Sequence, residues 1–365
     1  MSGIYILSDY GKLSKKDQTL VFTENDGTNT ILFPYKTDHL VLLGKVSITA
    51  DALRLISKYK IETTFLSSNG KFSSKLSFEN GKNVFLRQKQ FRILDDKLKS
   101  SEIAKSIVIG KIKNQISFMQ RIKRKDNRTN AEIERTINSV KNILSDLEKT
   151  SDIEKIRGYE GLAARNYFKV FAYNIQPEWA EFKSRSKNPP KSNVNAVLSF
   201  LYTLLMYRIE SAIESQGLDC CAGNLHALNY GKKALVFDLM EEFRTPIADA
   251  VCCTLFNQGI LKPEDFENVC FSSDSEDFPL ENYENISESE NMKDGFVTEN
   301  QKGILLTKVG IKKVIAAFEN KMDSLIMYYP MNEKVSYKKI IYYQVQHYKR
   351  VINEEEKDYK AYYFK

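Results

Sequence analysis

The chain has 365 residues, 42% of them hydrophobic and 28% charged, with 54 Lys or Arg against 47 Asp or Glu for a net charge of +7. That is the composition of a soluble globular protein long enough for two domains, each with its own core. The longest apolar run, Ala196 to Tyr207, is shorter than the roughly 18 residues of a membrane span, and Met1-Ser2-Gly3-Ile4-Tyr5 has no basic-then-apolar signal pattern, so membrane insertion and secretion are not expected.

Up to about Phe85 the apolar residues alternate with period two, at Tyr5-Ile6-Leu7, Leu20-Val21-Phe22, Ile31-Leu32-Phe33, Leu40-Val41-Leu42-Leu43 and Thr63-Thr64-Phe65-Leu66. Asp26-Gly27, Asn69-Gly70 and Asn80-Gly81 supply the positive φ of tight turns. One helix interrupts this compact β region, from an N-cap at Thr49 to Tyr59. From Val84 onward the spacing becomes three and four, predicting helices near 86–125, 130–148, 152–176, 193–216, 238–257 and 306–322. The fourth is the clearest, with Ser192 as N-cap after Pro189-Pro190 and Gly217 as its stop.

The segment from Glu264 to Asn291 holds ten carboxylates and no Lys or Arg, which leaves the remainder at 54 basic against 37 acidic residues, or +17. It reads as a mobile acidic insertion without chemistry of its own, and the basic remainder hints at a polyanionic partner. The five cysteines, Cys220-Cys221, Cys252-Cys253 and Cys270, have no disulfide spacing, so a reducing cytoplasm is the expected home.

Two loci can carry chemistry. On the helix that follows Ser151 and Glu154, a pair at capping-box spacing, Glu160 shares a face with Ile153, Ile156, Ala163, Ala164 and Tyr167. A carboxylate in an apolar stripe must reach water, meet a cation or take up a proton. A rim glutamate leaning into solvent fits equally well. Further on, His226 lies in a turn flanked by Gly and Asn, and Asp238 and Glu241 are three apart, which puts both carboxylates on one helical face. Asp-x-x-Glu is also a capping box, and a lone histidine is also a structural one.

Oxygen ligands with one imidazole suit Mg²⁺ or Mn²⁺ shared with phosphate oxygens, whereas zinc prefers sulfur and adjacent cysteines chelate poorly. No phosphate-binding Gly-rich loop, dinucleotide fingerprint or Gly-x-Ser-x-Gly elbow is present, so nucleotide hydrolysis, Rossmann redox chemistry and serine esterase chemistry lose support.

The blocks Gly158-Tyr159-Glu160-Gly161-x-Ala163-Ala164, Asn195-Ala196-x-Leu198-Ser199, Gly217-Leu218-Asp219, Leu225-His226 and Leu235-Val236-Phe237-Asp238-Leu239-Met240-Glu241-Glu242-Phe243-Arg244 closely resemble the CRISPR-associated adaptation integrase family. Gly44 to Leu53 and Phe85 to Gln90 are similar to its N-terminal half and the junction to its helices. The resemblance implies an α+β protein: an N-terminal β-sandwich-like domain over 1–85 that dimerises, then a larger all-α catalytic domain over 86–325, with a C-terminal tail over 326–365. It implies a homodimer that joins a small companion of nuclease-like fold to insert short DNA into the CRISPR array. On this resemblance Glu160, His226 and Glu241 hold Mg²⁺ or Mn²⁺, and Asp238 is a further acidic residue on the same turn. Cys220-Cys221 and the acidic insertion depart from the family pattern.

The implied reaction is metal-assisted phosphodiester transfer by a DNA 3′-hydroxyl on double-stranded or branched DNA, with no protein nucleophile. Two basic sets are candidates for holding DNA: Arg121, Lys123, Arg124, Lys125 and Arg128, and Lys183, Arg185, Lys187 and Lys191. Arg244 either contacts phosphate or anchors Glu241 or Asp238. A stand-alone metal nuclease and a nonenzymatic DNA-binding scaffold are the rival readings.

Overall fold

A computed structural model describes residues 2–67, 72–76, 83–124, 130–186, 189–271 and 301–364. The expected turns at Asn69-Gly70 and Asn80-Gly81 lie outside these residues. The chain starts with strands β1 (Ser2–Lys16), β2 (Thr19–Glu24), β3 (Asn29–Leu32) and β4 (Thr37–Ile48), helix α1 (Ala50–Lys58), and strands β5 (Glu62–Leu66) and β6 (Phe72–Leu76). They form one six-stranded sheet in the order β3-β2-β1-β4-β5-β6, in which β1 and β5 both run parallel to β4.

The β-then-α order holds, with helices taking the place of a second sheet layer. The cause is the apolar run in β4. Leu40 and Leu42 meet Ala52, Leu55 and Ile56 of α1, whereas Val41 and Leu43 point the other way into the core shared with the helical half. A strand buried on both faces suits parallel neighbours and loses the simple in–out alternation. Gly44 permits the central pairing. Its φ is +95°, and a Cβ there would lie 2.1 Å from the Ser8 carbonyl oxygen, where β1 and β4 slip register.

The helical half contains α2 (Val84–Asp95), α3 (Lys97–Lys123), α4 (Asn130–Glu148), α5 (Ile153–Tyr173), α6 (Asn193–Ser215), α7 (Ala234–Phe243) and α8 (Ala250–Asn257). The single helix expected over 86–125 is divided at Asp96, whose carboxylate caps Leu98 N–H and Lys99 N–H and so starts a new helix. α6 is long and apolar enough to cross a membrane, yet most of it is buried as the central core helix. The hairpin β7 (Phe266–Phe271) and β8 (Gln301–Leu306) follows α8. Beyond Phe271, the expected mobile acidic segment near 264–291 falls outside the described residues.

The expected C-terminal tail, 326–365, is instead folded against the helices. After α9 (Lys308–Asp323), a hairpin of β9 (Leu325–Tyr328) and β10 (Glu333–Ser336) leads to α10 (Tyr337–Ile352), whose apolar face is buried. The last residues then run along α3. Ser106 Oγ donates to Tyr359 O at 2.6 Å, and Asn114 donates to Tyr362 O and accepts from Phe364 N–H. Sheet and helices are joined by a buried ion cluster, in which Tyr5 OH and Arg208 both donate to Glu319 Oε1, at 2.7 and 2.6 Å, and Lys338 sits 3.1 Å from Oε2.

Glu242 on α7 fastens the returning segment: it accepts from Tyr359 OH, from Tyr362 N–H at 2.6 Å and from Gln344 Nε2 at 2.9 Å. Burial pushes its carboxyl up to about 7, only partly offset by these donors. Because the folded protein then binds this proton more tightly than the unfolded chain, the contribution is fully present below pH 4.5 and is lost as pH rises through about 7. Across that window the stability difference between wild type and Glu242→Gln should move against wild type by up to about 3 kcal/mol. Urea denaturation of both proteins at pH 5 and pH 7.5 measures it, and a pH-independent difference would contradict the assignment.

Candidate active site

α5 carries Glu160 toward α3. Its N-cap is Asp152, which accepts from Glu154 N–H at 3.0 Å, so a single aspartate cap replaces the capping-box spacing of Ser151 and Glu154. Of the three fates open to a carboxylate in an apolar stripe, Glu160 takes the second. Lys111 of α3 reaches it, and the same Nζ lies 2.5 Å from Glu241 Oε2 on α7. The Lys111 and Glu241 side chains are 9% and 5% exposed, while Glu160 keeps 23%, so the cluster is closed on the α3 and α7 side and open at Glu160.

Arg244 adds a second cation, with Nε 3.1 Å from Glu241 Oε1. Burial raises the Glu241 carboxyl, but Arg244, Lys111 and His226 together outweigh it and hold the group below the usual carboxylate range. Burial alone would lower the Lys111 ammonium; Glu160 and Glu241 reverse this and hold it well above its ordinary value. Lys111 and Glu241 thus hold each other in their charged forms. The close Lys111 ammonium answers Glu241 Oε2.

Asp238 and Glu241 lie inside α7, which starts at Ala234, so the pair is not a capping box. Asp238 is fully buried and accepts from three backbone N–H groups of the preceding loop, Asn224, Leu225 and His226. Its Oδ1 also meets His226 Nδ1 at 2.7 Å. With Nδ1 engaged there, the imidazole has Nε2 left for another partner, and the ring is 21% exposed. Asp238 thus orients His226 and has no oxygen left to serve as a ligand.

The loop that carries His226 is held from every side. Gln90 of α2 donates to Asp219 O and Ala222 O and accepts from Asp219 N–H; Arg157 of α5 donates to Leu225 O at 2.7 Å. Asn224 donates to Ser100 Oγ and accepts from Tyr348 OH of α10 at 2.8 Å. Gly223 leaves no room for more: a Cβ would stand 2.6 Å from Leu235 N and 2.7 Å from Asp238 Oδ2.

The basic candidates separate. Arg185 turns inward, donating to Asn195 Oδ1 at 3.1 Å and Ser199 Oγ at 3.0 Å and lying over the Tyr202 ring, so it pins the 177–192 loop to α6. Arg244 also lies over Tyr202, 4.7 Å from the ring centre, and anchors Glu241. The guanidinium groups of both are engaged inside the fold, Arg244 in the anchoring of Glu241 that was one of its two expected roles. Lys183 and Lys191 remain exposed, Lys183 with Glu181 3.2 Å away. Arg121 lies over Phe364, Lys123 pairs with Glu134 at 3.0 Å and Arg124 is exposed, all at the far end of α3, about 15 Å or more along its axis from Lys111. Lys125, Arg128 and Lys187 lie outside the described residues.

Lys111 was missed by the sequence reading. Its signal was available: it interrupts the stripe of Ala104, Ile107, Val108, Ile112 and Met119 on α3 just as Glu160 interrupts that of α5. Among the described residues, no three His, Cys, Asp or Glu side chains stand ready-made around one ion. The donor set nonetheless suits a hard divalent cation. Two carboxylates converge on one positive charge, and a carboxylate-oriented imidazole is near enough to Glu241 to influence its charge.

Residues 4–271 match a model of the family described as CRISPR associated protein Cas1. Over 345 residues the chain is 30% identical to the CRISPR-associated endonuclease Cas1 3 of Thermus thermophilus, spanning 94% of this chain and 91% of that protein. The fold is also that of a casposase solved bound to integration product, with a TM-score of 0.80 at 19% identity over 100% of this chain and 95% of that one. It recurs in a Cas6-RT-Cas1–Cas2 complex, at a TM-score of 0.77 and 20% identity, over 99% of this chain and 36% of the matched chain.

Replacing Asp238 by Ala strands three buried N–H groups, so it should cost about 2–4 kcal/mol of stability. His226→Ala, at a half-buried ring, should cost less than about 1 kcal/mol. Chemical denaturation of the two variants compares them directly, and equal losses would contradict the division of roles.

Proposed function

Because the chain belongs to the Cas1 family of CRISPR-associated endonucleases, we propose that it is the integrase of CRISPR adaptation, joining the 3′-hydroxyl of short foreign DNA to the CRISPR array. The observation that carries this reading is the convergence of Glu160 and Glu241 on one cation beside an imidazole oriented by Asp238. Glu160, Glu241 and His226 Nε2 would hold Mg²⁺ or Mn²⁺, which when bound supplies positive charge to a phosphoryl oxygen and to the leaving oxygen.

The protein's own groups prepare the site. Asp238 fixes the tautomer and direction of His226, Arg244 and the Tyr202 ring hold the Glu241 carboxylate, and the loop staples keep His226 from swinging away. In the transfer the incoming 3′-oxygen forms a bond to a backbone phosphorus while the bond to the target strand's 3′-oxygen breaks; the proton lost by the first is matched by one gained by the second. With water as nucleophile, the same geometry cleaves. No side chain is required as covalent nucleophile.

Exposed Lys183 and Lys191 are the remaining described members of the second basic set, suited to backbone phosphates without base readout. A second copy of this chain would pair through the sheet half, where Ile31, Phe33 and Tyr35 are exposed on the edge strand and the turn after it. The casposase and the Cas1–Cas2 complex share this fold, in keeping with double-stranded or branched DNA and a small companion protein as partners. The expected setting is the cytoplasm of a prokaryotic cell.

Joining and cleavage of labelled DNA with Mg²⁺ or Mn²⁺ test this reading. Glu160→Ala and His226→Ala should each lose at least about 100-fold in both reactions. Full joining by either variant would reject the site, and cleavage without joining in the presence of the companion would favour a stand-alone nuclease. Lys183→Ala and Lys191→Ala should each weaken DNA binding alike on unrelated sequences and reduce the slope of log affinity on log salt by about 0.9.

A further inference from the structure

Lys111 is the one member of the carboxylate cluster to which the proposed reaction assigns no task. Its ammonium occupies the space between Glu160 and Glu241, in contact with both, on a side chain buried among the helices. Two carboxylates and two cations, Lys111 and Arg244, leave the cluster neutral. Arg244 is stacked on Tyr202 and bound to the other oxygen of Glu241, whereas Lys111 hangs on a four-carbon stem. A divalent ion cannot share the space between the same two carboxylates with an ammonium already there.

We propose that Lys111 is a placeholder cation: it keeps Glu160 and Glu241 converged while no ion is bound, and it yields their inner oxygens when a divalent ion enters. This inference rests on the metal site proposed above. Entry of the ion raises the cluster by two charges, so the displaced ammonium moves toward the open side at Glu160, where a DNA phosphate restores the balance. Lys111 acts through the carboxylates and is a positioning residue.

The test is Mn²⁺ binding by calorimetry, with melting temperature as a second readout, for wild type and Lys111→Met. Removing the competing cation should tighten Mn²⁺ binding about tenfold. Without ion, Glu160 loses its cation and Glu241 keeps Arg244 alone, which should lower the melting temperature by roughly 5–10 °C, and Mn²⁺ should restore most of it. Unchanged or weaker Mn²⁺ affinity in Lys111→Met would overturn the proposal.

Should that variant not fold, wild type alone decides the matter through acylation of Lys111 by an amine-reactive reagent, read by peptide mass spectrometry. Labelling that rises on adding Mn²⁺ supports displacement, and labelling that stays constant or falls overturns it. If wild type binds no Mn²⁺, or Glu160→Gln binds it equally well, the metal site itself is rejected. If wild type binds through Glu160 while neither Lys111 readout changes, only the placeholder role fails.

Discussion

Two carboxylates from distant helices lie close together in a protein interior only where a cation stands between them or a proton is shared. Around Glu160 and Glu241 this requirement organises much of the helical half. Lys111 projects from the longest helix to meet both, and Arg244 reaches back from the turn after α7 to the second oxygen of Glu241. Breaking a buried pair of this kind costs several kcal/mol, because the remaining charge is stranded. The turn itself serves the arrangement. Between α7 and α8 the backbone widens into a π-helical stretch, Arg244–Asp249, that contains Pro246, which has no N–H to donate. Its last residue, Asp249, accepts from both Tyr167 and Tyr202. The tyrosine under Arg244 is thereby fixed as well.

The second half of the site depends on a loop, and loops are the natural place for motion. Here five helices restrain it through Gln90, Ser100, Arg157, Asp238 and Tyr348. Asp238 does most of this by collecting three successive N–H groups, so that the residue which aims the imidazole also shapes the backbone under it. The C-terminal segment completes the enclosure: Tyr348 holds Asn224, and Tyr359 and Tyr362 hold Glu242, the neighbour of Glu241.

Much of this is legible in the sequence wherever a residue violates its local pattern. Glu160 in an apolar stripe had to meet a cation, reach water or take up a proton, and the structure sets Lys111 against it. Lys111 violates its own stripe in the same way, yet it lies within a stretch of otherwise ordinary helical spacing and drew no attention. The capping-box alternative for Asp238 and Glu241 stayed open because α7 starts at Ala234 without a capping side chain, so nothing local marks its first turn. Turn glycines suggested hairpins, whereas the parallel pairing of β4 was signalled only by the unbroken run Leu40 to Leu43. Arg185 in a lysine-rich loop reads as surface charge, and only its tertiary contacts with Asn195, Ser199 and Tyr202 turn it inward. The end of the chain carried a helical spacing of Ile340, Ile341, Gln344, Val345, Tyr348 and Val351 that a reading as tail passed over.

The site stands or falls on whether Glu160, His226 and Glu241 grip the same ion. An anomalous difference map from crystals of the wild-type protein grown with Mn²⁺ addresses this most directly. It should show one peak with ligand bonds of roughly 2.1–2.2 Å to carboxylate oxygens of both glutamates and to His226 Nε2. A map with ordered side chains and no peak among them, or with the ion bound elsewhere, would contradict it.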